Sequence, residues 1–184
     1  MTNQDPIARG SVVSLSINGD PTNELYFDLR GPDGDIHQGF TRKLSSHDGG
    51  YSRTSDIKSG HPVFNWRTWT AISKEEIDDV SRVLNCHIPT GCLLENLMIE
   101  GIPNFSELPP TSRLVFPSFI DIGNNNNVSQ PILAVWEKNQ PCRTVGKRLE
   151  DHHERMGLTS RFITGAQNKR GLMGFVLSAG YVSV

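Results

Sequence analysis

The chain has 184 residues and a formal net charge of −2, with 36% hydrophobic and 21% charged residues, 17 glycines and 11 prolines. This size and balance fit one turn-rich globular domain with a sizeable core, and they exclude disordered and fibrous classes. The slight acidic excess argues against nucleic acid as a partner. The Met1–Pro6 segment lacks the charged and apolar regions of a signal peptide, and no apolar run approaches the length of a membrane span. The expectation is a cytoplasmic protein without a membrane partner, with residues 1–9 as a flexible N-terminus and residues 1–184 as one domain.

The first strand is predicted near residues 10–17, where Val13–Ile17 alternates apolar and polar before the turn formers Asn18-Gly19-Asp20-Pro21. A short Leu25-Tyr26-Phe27 run follows, then Arg30–Asp35, which is too rich in turn residues for regular structure. Residues 34–65 carry Asp35, His37, Arg42, Lys43, His47, Arg53 and His61 among few apolar residues, the composition of either a disordered segment or a functional loop lying over a site, and the mix of His, Asp, Arg and Gly favours the second slightly. Asp35 and His37 are spaced too closely for a recurring metal pattern and read better as a hydrogen-bonded pair that holds the loop.

Arg67–Ile72 reads as a strand that runs into the capping box Ser73…Glu76. Ile77, Val80, Val83 and Leu84 then recur on the buried face of a helix over 74–84, with Asp78, Asp79 and Arg82 on its solvated face. Another strand is expected around Leu97–Ile99. Glu95-Asn96 before it reads either as a buried hydrogen-bonding pair or as a polar strand start. Arg113–Phe116 is a further strand, with Phe119–Ile122 a candidate to pair with it, and residues 121–131 form an Asn-rich loop.

Ile132–Glu137 is the strand that delivers Pro141-Cys142-Arg143 to a basic helix beginning near Thr144. A thiol works as a nucleophile or sulfur carrier only as thiolate, which nearby cations and a helix N-terminus favour, and Arg143, Lys147 and Arg148 supply positive charge. The competing reading of Cys142 is a buried, inert cysteine. Cys86, Cys92 and Cys142 form no zinc pattern and are expected as free thiols. Val145, Leu149 and Met156 mark the buried side of this helix, which is expected to end at Gly157, and His152-His153 lie on its solvated face. A short 160–163 segment leads to the strand 169–176 and a last strand at 179–184. Strands outnumber helices about three to one, so the expected fold is mostly β (α+β), a closed or partly closed β-barrel with a few peripheral helices.

These segments resemble, in order, those of the MOSC domain family, named for the C-terminal domain of molybdenum cofactor sulfurase. Gly34-Asp35-Ile36-His37-Gln38-Gly39 resembles its Gly-Asp-x-His-x-Gly loop, and Asn65-Trp66-Arg67 through Glu75-Glu76 its arginine-led strand and helix. Leu94-Glu95-Asn96-Leu97 resembles its Glu-Asn-Leu strand, Pro141-Cys142-Arg143 its Pro-Cys site, and Lys169-Arg170-Gly171-Leu172 its terminal strand. The likeness is greatest to stand-alone bacterial members. It implies an association with the molybdenum cofactor (molybdopterin), with Cys142 as persulfide carrier or molybdenum ligand. It also implies Arg67, Arg143 and Arg170 as donors to an anionic phosphate or dithiolene, His37 and Asn96 as pocket hydrogen-bonding groups, and Asp35 as the residue that orients the loop. Pyridoxal phosphate would enter only through a partner cysteine desulfurase, and a molybdoenzyme is the other implied partner. The alternative activity is reduction of N-hydroxylated compounds by a bound molybdenum centre. A third reading is a binding or scaffold domain whose thiol is inert.

Overall fold

The computed structural model describes residues 8–44, 59–117 and 130–184. Twelve strands and three α-helices lie among them: β1 (Ser11–Ile17), β2 (Asp20–Thr22), β3 (Glu24–Asp28), β4 (Gly31–Pro32), β5 (Thr41–Lys43), β6 (Pro62–Phe64), β7 (Trp69–Ser73), α1 (Lys74–Leu84), β8 (Leu97–Glu100), β9 (Arg113–Val115), β10 (Ile132–Lys138), α2 (Arg143–His152), α3 (Leu158–Gly165), β11 (Leu172–Ser178) and β12 (Gly180–Ser183). Seven strands form one sheet in the order β2-β1-β8-β7-β11-β10-β9. Its pairings are antiparallel except β7 with β8, which run parallel because α1 carries the chain back between them. A second sheet, β12-β3-β4, and the β5-β6 hairpin complete the β structure.

The mostly β, α+β class follows from this arrangement, but the expected barrel is not observed among the described residues. The large sheet ends at β2 and β9 instead of joining them. Pro21 leaves β2 without one ladder donor, which suits a sheet edge. The three-stranded sheet supplies a second layer where a barrel would supply its own far wall.

β7 is apolar on both faces because it is covered on both. Trp69 and Ala71 join Leu15, Leu25, Phe27, Leu97, Leu133, Leu172 and Val182 in the core between the two sheets. Ile72 faces the other way, into a core with Ile77, Val80 and Leu84 of α1, Val145 and Leu149 of α2, and Leu158 and Phe162 of α3. The site lies at the edge of this helical core, where β10 ends and β11 begins.

The 74–84 helix has the expected bounds, and Ser73 Oγ accepts from the Glu76 amide at 3.3 Å. The reciprocal half of the capping box is absent. The Glu76 carboxylate instead accepts from the Ser106 amide at 3.0 Å and from the Ser106 hydroxyl. Val83 is 60% exposed rather than buried, since it falls at the rim of the α1 face that Val80 and Leu84 bury. α2 stops at His152, and Glu154 in a left-handed conformation turns the chain away, leaving Met156 92% exposed. Residues 158–165, expected to be only a short segment, form α3, which seats Thr159 against Gly146 of α2 so tightly that a Cβ on Gly146 would lie 3.0 Å from the Thr159 Cα. The 119–122 pairing lies outside the described residues, as does most of the Asn-rich loop, 121–129, and most of the N-terminus, 1–7.

Gly171 shows how little slack the sheet has beside the site. Its φ is +83°, and a Cβ there would lie 2.0 Å from the Ala71 carbonyl oxygen. Gly171→Ala is expected to cost on the order of 3 kcal/mol, a fall in thermal midpoint of roughly 6–12 °C for a domain of this size. Gly60, also at positive φ but with nothing among the described residues within 4 Å of such a Cβ, serves as the control: Gly60→Ala should cost only about 1 kcal/mol. Differential scanning calorimetry of the two variants checks the contrast.

Candidate functional site

Cys142 is the N-cap of α2, in extended conformation, with its carbonyl accepting from the Gly146 amide at 3.0 Å. Its side chain is half-buried and packs against the helical core. Its position follows from the antiparallel β10–β11 pair: Lys138 faces Leu172, and the Asn139 amide extends the ladder to the Gly171 carbonyl at 2.8 Å. The chain therefore leaves β10 beside residue 170, and the thiol arrives within electrostatic reach of Arg170.

Arg170 is held from both sides in sequence. Lys169 Nζ pairs with Asp79 of α1 at 2.7 Å, and the Gly171 amide donates to Ser106 Oγ at 3.0 Å, the hydroxyl that Glu76 in turn accepts. Between these anchors the guanidinium is driven inward, where the residue is 4% exposed. One nitrogen, Nη2, donates to the Leu93 carbonyl; among the described residues Nε and Nη1 have no hydrogen-bond partner. Burial pulls Arg170 below its usual proton affinity, against the opposing pulls of Glu95 and of Cys142, while Arg67 adds to the lowering. A buried cation with two unused donors is costly. It is also a ready receptor for an anion.

Glu95 is the residue that sequence reasoning left out of the site. It is 1% exposed, with Oε1 accepting from the Gly91 amide at 2.5 Å and Oε2 without a hydrogen-bond partner among the described residues. Burial pushes its carboxyl above the ordinary range, the Gly91 bond and Arg170 opposing. Among the described residues it makes no direct ion pair with Arg170, although each feels the other's charge. The available signal was a carboxylate in the apolar context of Leu94 and Leu97. Cys92 lies in the same neighbourhood, feeling Arg148, Glu95 and Arg170, and burial raises its thiol.

Asp35, His37 and Asn96 form a second group. The Asp35 carboxylate accepts from the His37 amide at 2.7 Å and from Asn96 Nδ2 at 2.8 Å, with His37 Nδ1 at 3.1 Å. The Asp35–His37 pair thus holds the loop as the sequence suggests. Asn96 Oδ1 accepts from the Thr70 amide at 2.9 Å, so this side chain is a brace between loop and sheet. Glu95 and Asn96, adjacent in the chain, connect the two groups: Glu95 meets the Gly91 turn near Arg170, while Asn96 grips the loop. Asn65 makes a second link, donating to the carbonyls of His37 and Gly39 while accepting from the Arg67 amide. Arg67 is half-buried and within electrostatic reach of Arg170. Arg143 is exposed on the first turn of α2. His153 Nε2 lies 2.7 Å from the His87 carbonyl, and no cluster of three metal-ligating side chains occurs among the described residues.

The MOSC domain model matches residues 58–184, more than half of the sequence, and the chain belongs to the MOSC domain family. It is 28% identical over 162 residues to a Bacillus subtilis (strain 168) protein named "Putative metal-sulfur cluster biosynthesis proteins YuaD", a match covering 87% of this chain and 76% of that protein. The crystal structure of YuaD from Bacillus subtilis superposes with a TM-score of 0.80 at 23% identity, covering 96% of this chain and 94% of that one. A crystal structure described as that of a hypothetical protein follows at a TM-score of 0.56 and 13% identity, covering 96% of this chain and 65% of that one. Both structural likenesses are statements about the fold. No described helix is long and apolar enough to cross a membrane.

The Asp35 bonds carry a pH dependence. Burial raises this carboxyl, but the bonds from His37 and Asn96 outweigh burial and hold it below its ordinary value. The stabilisation is therefore present above the unfolded value of about 3.9 and is lost as pH falls through the lower folded value. Thermal midpoints taken through the acid range should fall less steeply for Asp35→Asn than for the wild type, from a lower starting point at neutral pH.

Proposed function

We propose that this protein carries sulfur, or holds a sulfur-ligated anionic cofactor, at Cys142, with Arg170 and Arg67 as the anion-recognising groups. The observation that carries this reading is the pair of donors on Arg170 that have no partner among the described residues, buried within electrostatic reach of a half-buried thiol at a helix N-cap. The MOSC family and the metal-sulfur cluster description attached to YuaD support it.

Sulfur loading requires no outside oxidant. The Cys142 thiolate attacks the terminal sulfur of a donor persulfide, one S–S bond forms as the donor's breaks, and the donor leaves as its own thiolate. The N-terminus of α2 and the Arg170 cation both favour negative charge at this position. The product persulfide is itself an anion and keeps the same support. A cysteine desulfurase using pyridoxal phosphate is the class of partner that supplies such a donor, and a molybdoenzyme is a fitting acceptor in the cytoplasm.

The residues also fit the molybdenum cofactor. Its phosphate and dithiolene call for guanidinium donors, which Arg170 and Arg67 supply with Arg143 at the rim, and its metal calls for a soft ligand, which Cys142 supplies. With no cluster of three ligating side chains among the described residues, a metal here would take most of its ligands from its own cofactor. The bound group would supply redox chemistry; the chain's part is to bind it and orient it. His37 stands on the loop that Asp35 and Asn96 fix, and would contribute a hydrogen bond from its half-exposed ring.

Incubation with a cysteine desulfurase, pyridoxal phosphate and free cysteine, followed by intact-mass spectrometry without reductant, tests the carrier reading. The wild type should gain one sulfur atom and Cys142→Ala none, with Arg170→Gln loading several-fold more slowly. No gain on the wild type, or an equal gain on Cys142→Ala, would overturn it.

A further inference from the structure

The bond between Asp35 and His37 does more than hold the loop, because it fixes where the His37 ring carries its proton. A neutral imidazole has one N–H and one bare nitrogen, and the partner of the ring decides which is which. His37 Nδ1 lies 3.1 Å from Asp35 Oδ1, which also accepts from the His37 amide at 2.7 Å, while Asn96 Nδ2 donates to Asp35 Oδ2 at 2.8 Å. Burial alone would raise the Asp35 carboxyl, but these bonds hold it below its ordinary value, so at neutral pH it is a carboxylate with no proton to give. The hydrogen in the bond to Asp35 is therefore the ring's own, on Nδ1. Nε2 is left as the bare nitrogen, and among the described residues it has no hydrogen-bond partner.

The backbone beside the ring is gripped from both sides. The Ile36 amide donates to Asn18 Oδ1 at 3.0 Å, and Asn65 Nδ2 donates to the His37 carbonyl at 2.7 Å. The side chains that reach this loop from the β1–β2 turn, from residue 65 and from residue 96 are thus three uncharged asparagines, and among the described residues the ionised group bonded to the ring is Asp35. The Asp35 side chain is 6% exposed and that of His37 52%, so the carboxylate acts from a shielded position while the ring opens to solvent. His153 is the opposite case: its Nε2 lies 2.7 Å from the His87 carbonyl, which can only accept, so there Nε2 carries the hydrogen.

We propose that His37 is a proton-accepting residue: Asp35 fixes it in the Nδ1–H form, and its exposed Nε2 takes a proton from an N–H, O–H or S–H group of a ligand bound against the loop. In that step the ligand's bond to hydrogen breaks as the Nε2–H bond forms, the electron pair stays on the ligand, and the Asp35 carboxylate offsets the charge of the imidazolium. The new Nε2–H then donates to the anion it has made. The proposal rests on the functional reading above only in placing a ligand beside this loop, and it makes that ligand one that arrives protonated and is held as an anion.

The test is long-range proton–nitrogen NMR of the full chain carrying nitrogen-labelled histidine, which tells protonated from bare ring nitrogens, at a pH where the rings are neutral. His37 should show a protonated Nδ1 and a bare Nε2, and His153 the reverse. Acidification should shift chiefly the Nε2 signal of His37, and Asp35→Ala should release the ring to a mixture of the two forms. A wild-type His37 that is mixed or carries its proton on Nε2, or a pure Nδ1–H form that survives in Asp35→Ala, would overturn the proposal. Should Asp35→Ala fail to fold, the wild-type spectra decide. Diethyl pyrocarbonate, which acylates a bare ring nitrogen, should add one carbethoxy group to His37 in the folded wild type, read by peptide mass spectrometry; no addition there would equally overturn it. Neither readout involves Cys142 or its cargo, so failure of sulfur loading and failure of this proposal are separate results.

Discussion

The site depends on a cation that the fold buries and only partly satisfies. Taking a guanidinium out of water costs several kcal/mol, and among the described residues it is offset by one hydrogen bond, which Nη2 donates to the Leu93 carbonyl, and by the diffuse field of Glu95. What keeps Arg170 inside is covalent and topological. Lys169 is tied to α1, Gly171 to Ser106 and the sheet, and the residue between them is buried at 4% exposure. The stability of the surrounding cores covers the cost, because β7 is packed on both faces by apolar side chains. The residual electrostatic demand at Nε and Nη1 is the feature on which the proposed anion site beside Cys142 rests.

That arrangement also explains why the helix after Cys142 begins where it does. Asn139 finishes the ladder with Gly171, Pro141 cannot extend it, and the chain must turn, which puts the next residue at the N-cap of α2. The thiol therefore receives the partial positive charge of a helix terminus and the field of a buried arginine from one structural event. The Asp35, Asn96 and Asn65 bonds then hold the loop carrying His37 over the sheet, with Arg67 at their junction.

Local features were legible in the sequence to the extent that local physics decides them. Ser73 announces α1 because capping involves neighbours within one turn. The Asp35–His37 pair is equally close in sequence. α3 was not legible: Thr159, Ile163 and Thr164 are β-branched and weak helix formers, so its helicity rests on the contact of Thr159 with Gly146 and on burial of Leu158 and Phe162. The overrun of α2 to Met156 came from a periodicity that continues past the turn at Glu154. The open sheet was hidden for another reason, since strand count does not say whether edge strands meet. Arg170 and Cys142 could be nominated through family motifs, yet the approach of Glu95 to Arg170, 75 positions apart, is a product of the fold alone.

The central claim is that Arg170 makes Cys142 the responsive thiol among Cys86, Cys92 and Cys142. The most direct measurement is competitive labelling of the three in the folded protein at neutral pH with substoichiometric iodoacetamide, read by peptide mass spectrometry in wild type and Arg170→Gln. The account predicts that Cys142 is labelled first in the wild type and loses its lead in the variant. Labelling of Cys86 ahead of Cys142 in the wild type, or a lead that survives removal of the guanidinium, would contradict it.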